Sequence, residues 1–284
     1  MTSRIIKYFS IGVLSLGLMG CVTTQSTTQS GLVDIERKQM FMISQSEMVN
    51  AGEKAYEQFL EKAREDGTLN QDADMLARIT RIMHDLIPHT AQFRPDAPNW
   101  DWQVNLIEDE TMNAWIMPGG RIMFYSGLIE TLELNDDEIA AIMGHEMAHE
   151  LREHARERAS QAQMTQVGLG VVGQLTGVQG MGLDLAATVI NVAVLLPYSR
   201  VHEVEADRIG IELAAHAGYD PSAAINIWQK MARMGNGSPP EFLSTHPSYD
   251  SRISDLTRYS KRLMPIYENA KQRRLENKAD KTKS

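Results

Sequence analysis

The sequence predicts a mainly helical α+β fold in which a small sheet lies beside a helix carrying a histidine pair. Three observations predict it. Apolar residues recur at helical spacing in several long stretches. Strand character is confined to Trp102, Val104 and Leu106, which alternate with polar residues, and to Asn113–Met117 and Arg121–Tyr125 around Pro118-Gly119-Gly120. His145-Glu146-Met147-Ala148-His149 then spaces two imidazoles by four residues, which places both on one helix face.

The composition bounds the rest. The chain has 284 residues, 43% hydrophobic and 23% charged, with a net charge of -9. It therefore folds, and it is no nucleic-acid binder of the kind that relies on bulk positive charge. Cys21 is its single cysteine, so no internal disulfide and no cysteine-rich zinc site can form.

The chain opens with Arg4 and Lys7, an apolar run from Ile11 to Leu18, and then Leu18-Met19-Gly20-Cys21. A basic start, a short apolar core and small residues before a cut describe a secretory signal, too short to span a bilayer. Leu18-Met19-Gly20-Cys21 resembles a bacterial lipobox, which implies acylation of Cys21 after removal of residues 1–20. That cut deletes two positive charges and no negative ones, taking the net charge to -11. Several acyl chains on one residue hold firmly where a single chain binds marginally. Val22 after the cysteine, by the same resemblance, implies the bacterial outer membrane, periplasmic face. Residues 21–34 read as the lipidated cysteine and a flexible Thr/Ser/Gln-rich tether.

Ser44 and Glu47 form a capping box, followed by Met48, Ala51, Ala55 and Phe59 at helical spacing until Gly67. A second helix starts at Asp72, buries Leu76, Ile79, Met83 and Leu86, and stops before Pro88. Asn135 caps the motif helix, with Asp136, Asp137 and Glu138 at the positive end of its dipole, and the helix is expected to reach about Ser160. Residues 164–183 carry no charge and are rich in glycine and glutamine, which suits a mobile, partly buried lid better than a membrane hairpin. The apolar run Leu185–Pro197 is shorter than a span. Asp220-Pro221 opens a helix through Trp228 and Met231, another follows His246-Pro247, and the tail beyond Lys271 is charged.

On the motif helix His145 and His149 can face one metal, and Glu146 sits one step round, where it can act as a general base on water. Two imidazoles leave a tetrahedral zinc incomplete, so a third protein ligand is required. Ser199–Gly218 is a second helix bearing acids. Glu203 and Asp207 are four apart and share a face, so one can bind the metal while the other accepts a hydrogen bond from a ligand imidazole. Glu205 lies about 200° round from Glu203 and, with Glu212, is expected on a solvated face. His154, nine residues beyond His145 and so about 180° round from it, is expected to be a surface or structural histidine.

Four separated motifs carry a resemblance: HEMAHE at 145–150, Ser199-Arg200-Val201-His202-Glu203-Val204-Glu205-Ala206-Asp207, Asn113-Ala114-Trp115-Ile116-Met117-Pro118-Gly119-Gly120 with Tyr125-Ser126-Gly127-Leu128, and Ser244-Thr245-His246-Pro247 with Arg252-Ile253. Over roughly residues 40 to 260 the chain resembles the gluzincin peptidases of the HtpX, BepA and CAAX prenyl endopeptidase family, and in shape the small periplasmic lipoprotein peptidases among them. The resemblance implies a zincin-like metalloprotease domain over 35–265, followed by a charged tail over 266–284. It implies one Zn2+ per chain on His145, His149 and Glu203, with Glu146 as base and Asp207 as the partner of a ligand imidazole. It also makes Asn113, Ala114, Trp115, Ile116 and Met117 a substrate-side strand, to which an extended polypeptide can add. A purely structural edge strand is the competing reading.

His246 has three readings: a stabiliser of the developing oxyanion, a fourth metal ligand that keeps the enzyme latent, or a residue that merely starts a helix before Pro247. Arg252 is expected to anchor that loop to a carboxylate. The expected activity is endoproteolysis of unfolded or misassembled envelope proteins by a lipid-anchored enzyme. The rivals are a protease-fold chaperone or assembly adaptor for outer-membrane proteins, and a hydrolase of peptidoglycan cross-links.

Overall fold

The computed structural model describes residues 23–176, 184–234, 240–248 and 251–281; Cys21 and the signal segment lie outside them. Strand β1 (Thr23–Gln25) pairs antiparallel with β2 (Gln39–Phe41). The expected tether is therefore docked from Thr23 onward. Val33 is buried, and the Leu32 amide donates to the Glu212 carboxylate. The segment's hydroxyls explain the docking: Ser26 and Thr28 accept from the buried Arg152 guanidinium, which needs partners.

Helix α1 (Gln45–Glu65) begins at the Ser44–Glu47 capping box, with both reciprocal bonds made. Helix α2 (Ala73–Leu86) is capped by Asp72 and buries Ile79, Met83 and Leu86, with Leu76 half-buried. Then come β3 (Gln103–Ile107), β4 (Ala114–Met117) and β5 (Arg121–Tyr125), in the order β3-β5-β4. β3 runs parallel to β5, and β4 runs antiparallel to it. The β4–β5 turn needs Gly119 and Gly120, at φ 94° and 77°.

Helix α3 (Ser126–Thr131) leads to α4 (Asp136–Leu151), whose Asn135–Glu138 capping box is complete. Helix α4 stops well short of Ser160. Glu153 turns left-handed at φ 51°, and α5 (His154–Thr176) sets off anew. No glycine or proline marks this break. It is held from outside, by burial of Arg152 and by Arg94 and Arg156 on Glu153.

Of the segment expected as a lid, residues 164–176 are helical in α5 and 177–183 lie outside the described residues. Helix α6 (Leu185–Ile190) continues as a π-helical turn over Asn191–Leu195, which packs against β4. No single described helix is long and apolar enough to cross a membrane.

Helix α7 (Arg200–His216) is followed by α8 (Ala223–Arg233), α9 (Glu241–Thr245) and α10 (Arg252–Lys281). Asp220 accepts from the Ser222 amide and hydroxyl, so α8 starts just after the Asp-Pro pair. The expected boundary at 266 falls inside α10, where Tyr267 and Ala270 are still buried.

Helices α4 and α7 form the centre. A Cβ on Gly144 would stand 2.6 Å from the Gly210 carbonyl oxygen, and one on Gly210 2.7 Å from the His145 amide nitrogen. Only a glycine pair permits this crossing, and it brings the two motif helices within ligand reach of each other. α7 is buried on most sides, apolar residues such as Ile209, Ile211, Leu213, Ala214 and Ala215 lying beside the buried acids Glu203, Glu205, Asp207 and Glu212.

Candidate metal centre

Helix α4 supplies His145 and His149, α7 supplies Glu203, and the end of α9 supplies His246. One donor atom from each lies within 4.8 Å of all the others, and all four residues are buried. His145 Nε2 is 3.1 Å from His149 Nε2 and 3.1 Å from His246 Nδ1. Glu203 Oε2 is 3.6 Å from His145 Nε2, and Oε1 is 3.5 Å from His149 Nε2 and 3.2 Å from His246 Nδ1. Atoms bound tetrahedrally at zinc distances stand about 3.3 Å apart. The donor set and its spacing fit such an ion.

The groups behind these ligands fix their tautomers. His145 Nδ1 faces Asp207 Oδ1 at 3.0 Å, and a carboxylate only accepts. The proton therefore sits on Nδ1, and the Nε2 lone pair points at the cluster. Arg252 holds two of the α7 carboxylates, with Nη2 at 2.6 Å from Asp207 and Nη1 at 3.1 Å from Glu203, while its guanidinium lies 3.6 Å over the Trp228 ring. On the other side, His149 Nδ1 lies 2.8 Å from His154 Nδ1, whose Nε2 is 2.9 Å from Glu205 Oε2.

Burial and neighbouring charge act on these groups in opposite directions. Burial opposes ionisation of Glu203, yet His246 and His145 hold its carboxyl well below the usual range. Burial likewise opposes a charged His145, but Glu203 and Asp207 outweigh it and raise its proton affinity. Burial lowers His149 and raises Glu146. Glu146 Oε1 has no hydrogen-bond partner, although it is buried, and His246 Nε2 lies 3.4 Å from it. An orphaned carboxylate oxygen at such a centre is where water belongs.

Several placements correct the sequence reading. His246 closes α9 as its C-cap and does not start a helix; α10 opens at Arg252. Its ring is packed between Phe242 and Tyr198, with centroids 4.5 and 5.4 Å away. Glu205 and Glu212 are not on a solvated face. Both are buried, Glu205 on Arg37, Arg152 and His154, and Glu212 on the Leu32 amide. Of the two readings of His154, surface or structural, the second holds: it is buried between His149 and Glu205. For Glu212 the signal is the apolar run over 209–215 around it, which leaves little solvated face; Glu205 and His154 carry no such local signal.

Strand β4 is the sheet edge next to the site, and Asn113 precedes it. The side chains of Ala114, Trp115, Ile116 and Met117 are all buried in the core. Asn113 donates from Nδ2 to Glu241 at 3.3 Å, and the Phe242 amide donates to the Met112 carbonyl, tying the α9 segment to the start of this strand.

The model of peptidase family M48 matches residues 75–260. The chain belongs to peptidase family M48. It is 30% identical to the mitochondrial metalloendopeptidase OMA1 of Bos taurus over 277 residues, covering 91% of this chain and 51% of the relative. It is 34% identical to the OMA1 of Schizosaccharomyces pombe over 54% of this chain and 44% of the relative. A beta-barrel assembly-enhancing protease of Yersinia pestis is 31% identical over 56% of this chain and 35% of the relative. The chain thus spans about half or less of the length of these curated relatives.

Proposed function

We propose that this chain is a metal-dependent endopeptidase, with zinc as the preferred ion on His145, His149 and Glu203. The observation that carries the reading is the unpartnered, buried Glu146 oxygen beside four converging donor atoms. Two imidazoles and a carboxylate suit zinc among the divalent ions. When bound, the ion supplies acidified water and a polarised scissile carbonyl. Glu146, its proton affinity raised by burial, takes the proton from the attacking water and returns it to the leaving amine. Asp207 and Arg252 keep His145 and Glu203 aimed during this transfer.

The substrates proposed are unfolded or misassembled envelope proteins, because an edge strand with buried side chains reads backbone rather than sequence. The acylated Cys21 holds the enzyme at the periplasmic face of the outer membrane. His246 occupies a ligand position, 3.1 Å from His145 Nε2, which supports the latent reading over the oxyanion one.

The test compares the wild type, Glu146→Gln and His246→Ala on an unfolded protein with zinc present. Latency expects slow cleavage by the wild type, faster cleavage by His246→Ala and none by Glu146→Gln. Equal cleavage by the wild type and Glu146→Gln would rule out the general-base role. No cleavage by wild type or His246→Ala would favour an adaptor that only holds its clients.

A further inference from the structure

We propose that His154 is a positioning residue, the middle of a Glu205–His154–His149 relay that orients the second metal-facing imidazole from behind. This rests on the metal reading above and concerns a residue on a different helix, across the Arg152–Glu153 break. The two Nδ1 atoms of His149 and His154 lie 2.8 Å apart, so one must donate and the other accept. His149 Nε2 points into the cluster, 3.1 Å from His145 Nε2, and a ligand nitrogen must keep its lone pair free. The proton of a neutral His149 is then on Nδ1, which donates to His154 Nδ1. That leaves the His154 proton on Nε2, where Glu205 Oε2 accepts it at 2.9 Å.

The opposite assignment fails twice. It sets two N–H groups against each other at 2.8 Å, and it turns the His154 Nε2 lone pair onto a carboxylate oxygen. The ring cannot flip out of this choice easily. It is buried, and it stacks on His202 with centroids 4.3 Å apart and planes at 24°. Glu205 is itself pinned. Arg152 Nε reaches it at 3.1 Å, and Arg37 Nε, from the docked N-terminal segment, reaches it at 2.8 Å. The last anchor of the His149 ring is thus a segment some 110 residues upstream.

The experiment uses the full chain. Zinc affinity is measured by competition with a chromophoric chelator for wild type, His154→Phe and His154→Asn. Phenylalanine keeps the stack on His202 but cannot accept; asparagine places an acceptor oxygen where Nδ1 stood. Losing the partner of a ligand imidazole costs about 10–100-fold in metal affinity. His154→Phe is expected to show that loss, and His154→Asn to recover most of it. The nitrogen-15 imidazole spectrum of zinc-loaded wild type reads the tautomer without any variant and is expected to show His154 protonated at Nε2. Wild type that binds no zinc would overturn the metal reading and the relay together. If wild type binds zinc, a His154→Phe protein that binds as tightly, or a His154 protonated at Nδ1, overturns the relay alone.

Discussion

The two imidazoles of HExxH are held from behind by unlike machinery. His145 rests directly on a carboxylate, Asp207, which lies one helical turn beyond Glu203 and is fixed by Arg252. His149 rests on another imidazole, then on Glu205, then on Arg152 and Arg37. The first support is made within the α7 and α10 region, from residues close to the metal. The second reaches through a helix break to the start of the folded chain. A short support fixes one ring; a long one also makes that ring sensitive to whether a distant segment is docked.

The strongest way to break both supports is at the helix crossing they share. Gly210→Ala places a methyl 2.7 Å from the His145 amide, against backbone that has no side-chain freedom to yield. Overpacking of this kind costs about 1–3 kcal/mol. The variant should unfold at lower temperature and bind zinc far more weakly than any change behind a single ring. Unchanged zinc affinity would mean that the two helices are not held together at that point.

Next in size come changes to one support at a time. Asp207→Ala leaves the His145 Nδ1–H without its acceptor and takes from Arg252 one of the carboxylates it holds. Zinc affinity should fall about 10–100-fold, as for a lost ligand partner elsewhere. The comparison with His154→Phe is the informative part. Similar losses would show that an imidazole in the middle of a relay serves as well as a carboxylate in direct contact. A large loss at Asp207 with none at His154 would leave His149 positioned by its helix and by Tyr198, whose ring centroid is 3.9 Å away.

The near support was legible in the sequence, and the far one was not. HExxH gives two imidazoles on one face, and Glu203 with Asp207 repeats the same four-residue spacing on a second helix, so local periodicity finds them. The capping residues Ser44, Asn135 and Asp72 are local in the same way, and each makes its expected side-chain bond. Glu205 looked solvated because rotation about a helix says where a side chain points but not what packs there. Its partners come from residues 37, 152 and 154. The end of α4 was misplaced for the same reason, since Glu153 adopts a left-handed conformation that its sequence does not favour and its neighbours impose. The tether, read as coil from its composition, is anchored by hydroxyls whose use depends on a buried arginine far along the chain.

Arg37→Ala sharpens the contrast with a smaller effect. Arg37 bonds Glu205 and Glu157, but it is partly exposed, and Glu205 retains Arg152. Removing one charged donor from buried carboxylates costs about 1–3 kcal/mol, at the lower end where water can reach the gap. Thermal unfolding of the metal-free protein should show that loss, while zinc affinity falls only a few-fold. A zinc loss as large as that of His154→Phe would mean that Arg37, and not Arg152, is the group that holds Glu205.

The smallest effect is a difference in acid sensitivity between the two supports, and Glu157 sets its sign. Burial opposes its ionisation, but hydrogen bonds from Arg37, His202 and Gln39 hold its carboxyl well below the usual carboxylate range. A carboxyl whose folded value is depressed contributes stability above its unfolded value, near 4.5, and loses it as pH falls through the folded one. Wild type should therefore exceed Glu157→Gln in stability at neutral pH, and the gap should close steadily below about pH 4.5. Measuring both without metal removes the separate effect of acid on the ligands. Two stability curves that stay parallel from neutral pH down to pH 3 would show that the Arg37–Glu157 pair does not hold the docked segment by charge, leaving the Arg37–Glu205 pair, the Leu32–Glu212 bond and the Ser26 and Thr28 hydroxyls on Arg152 to do so.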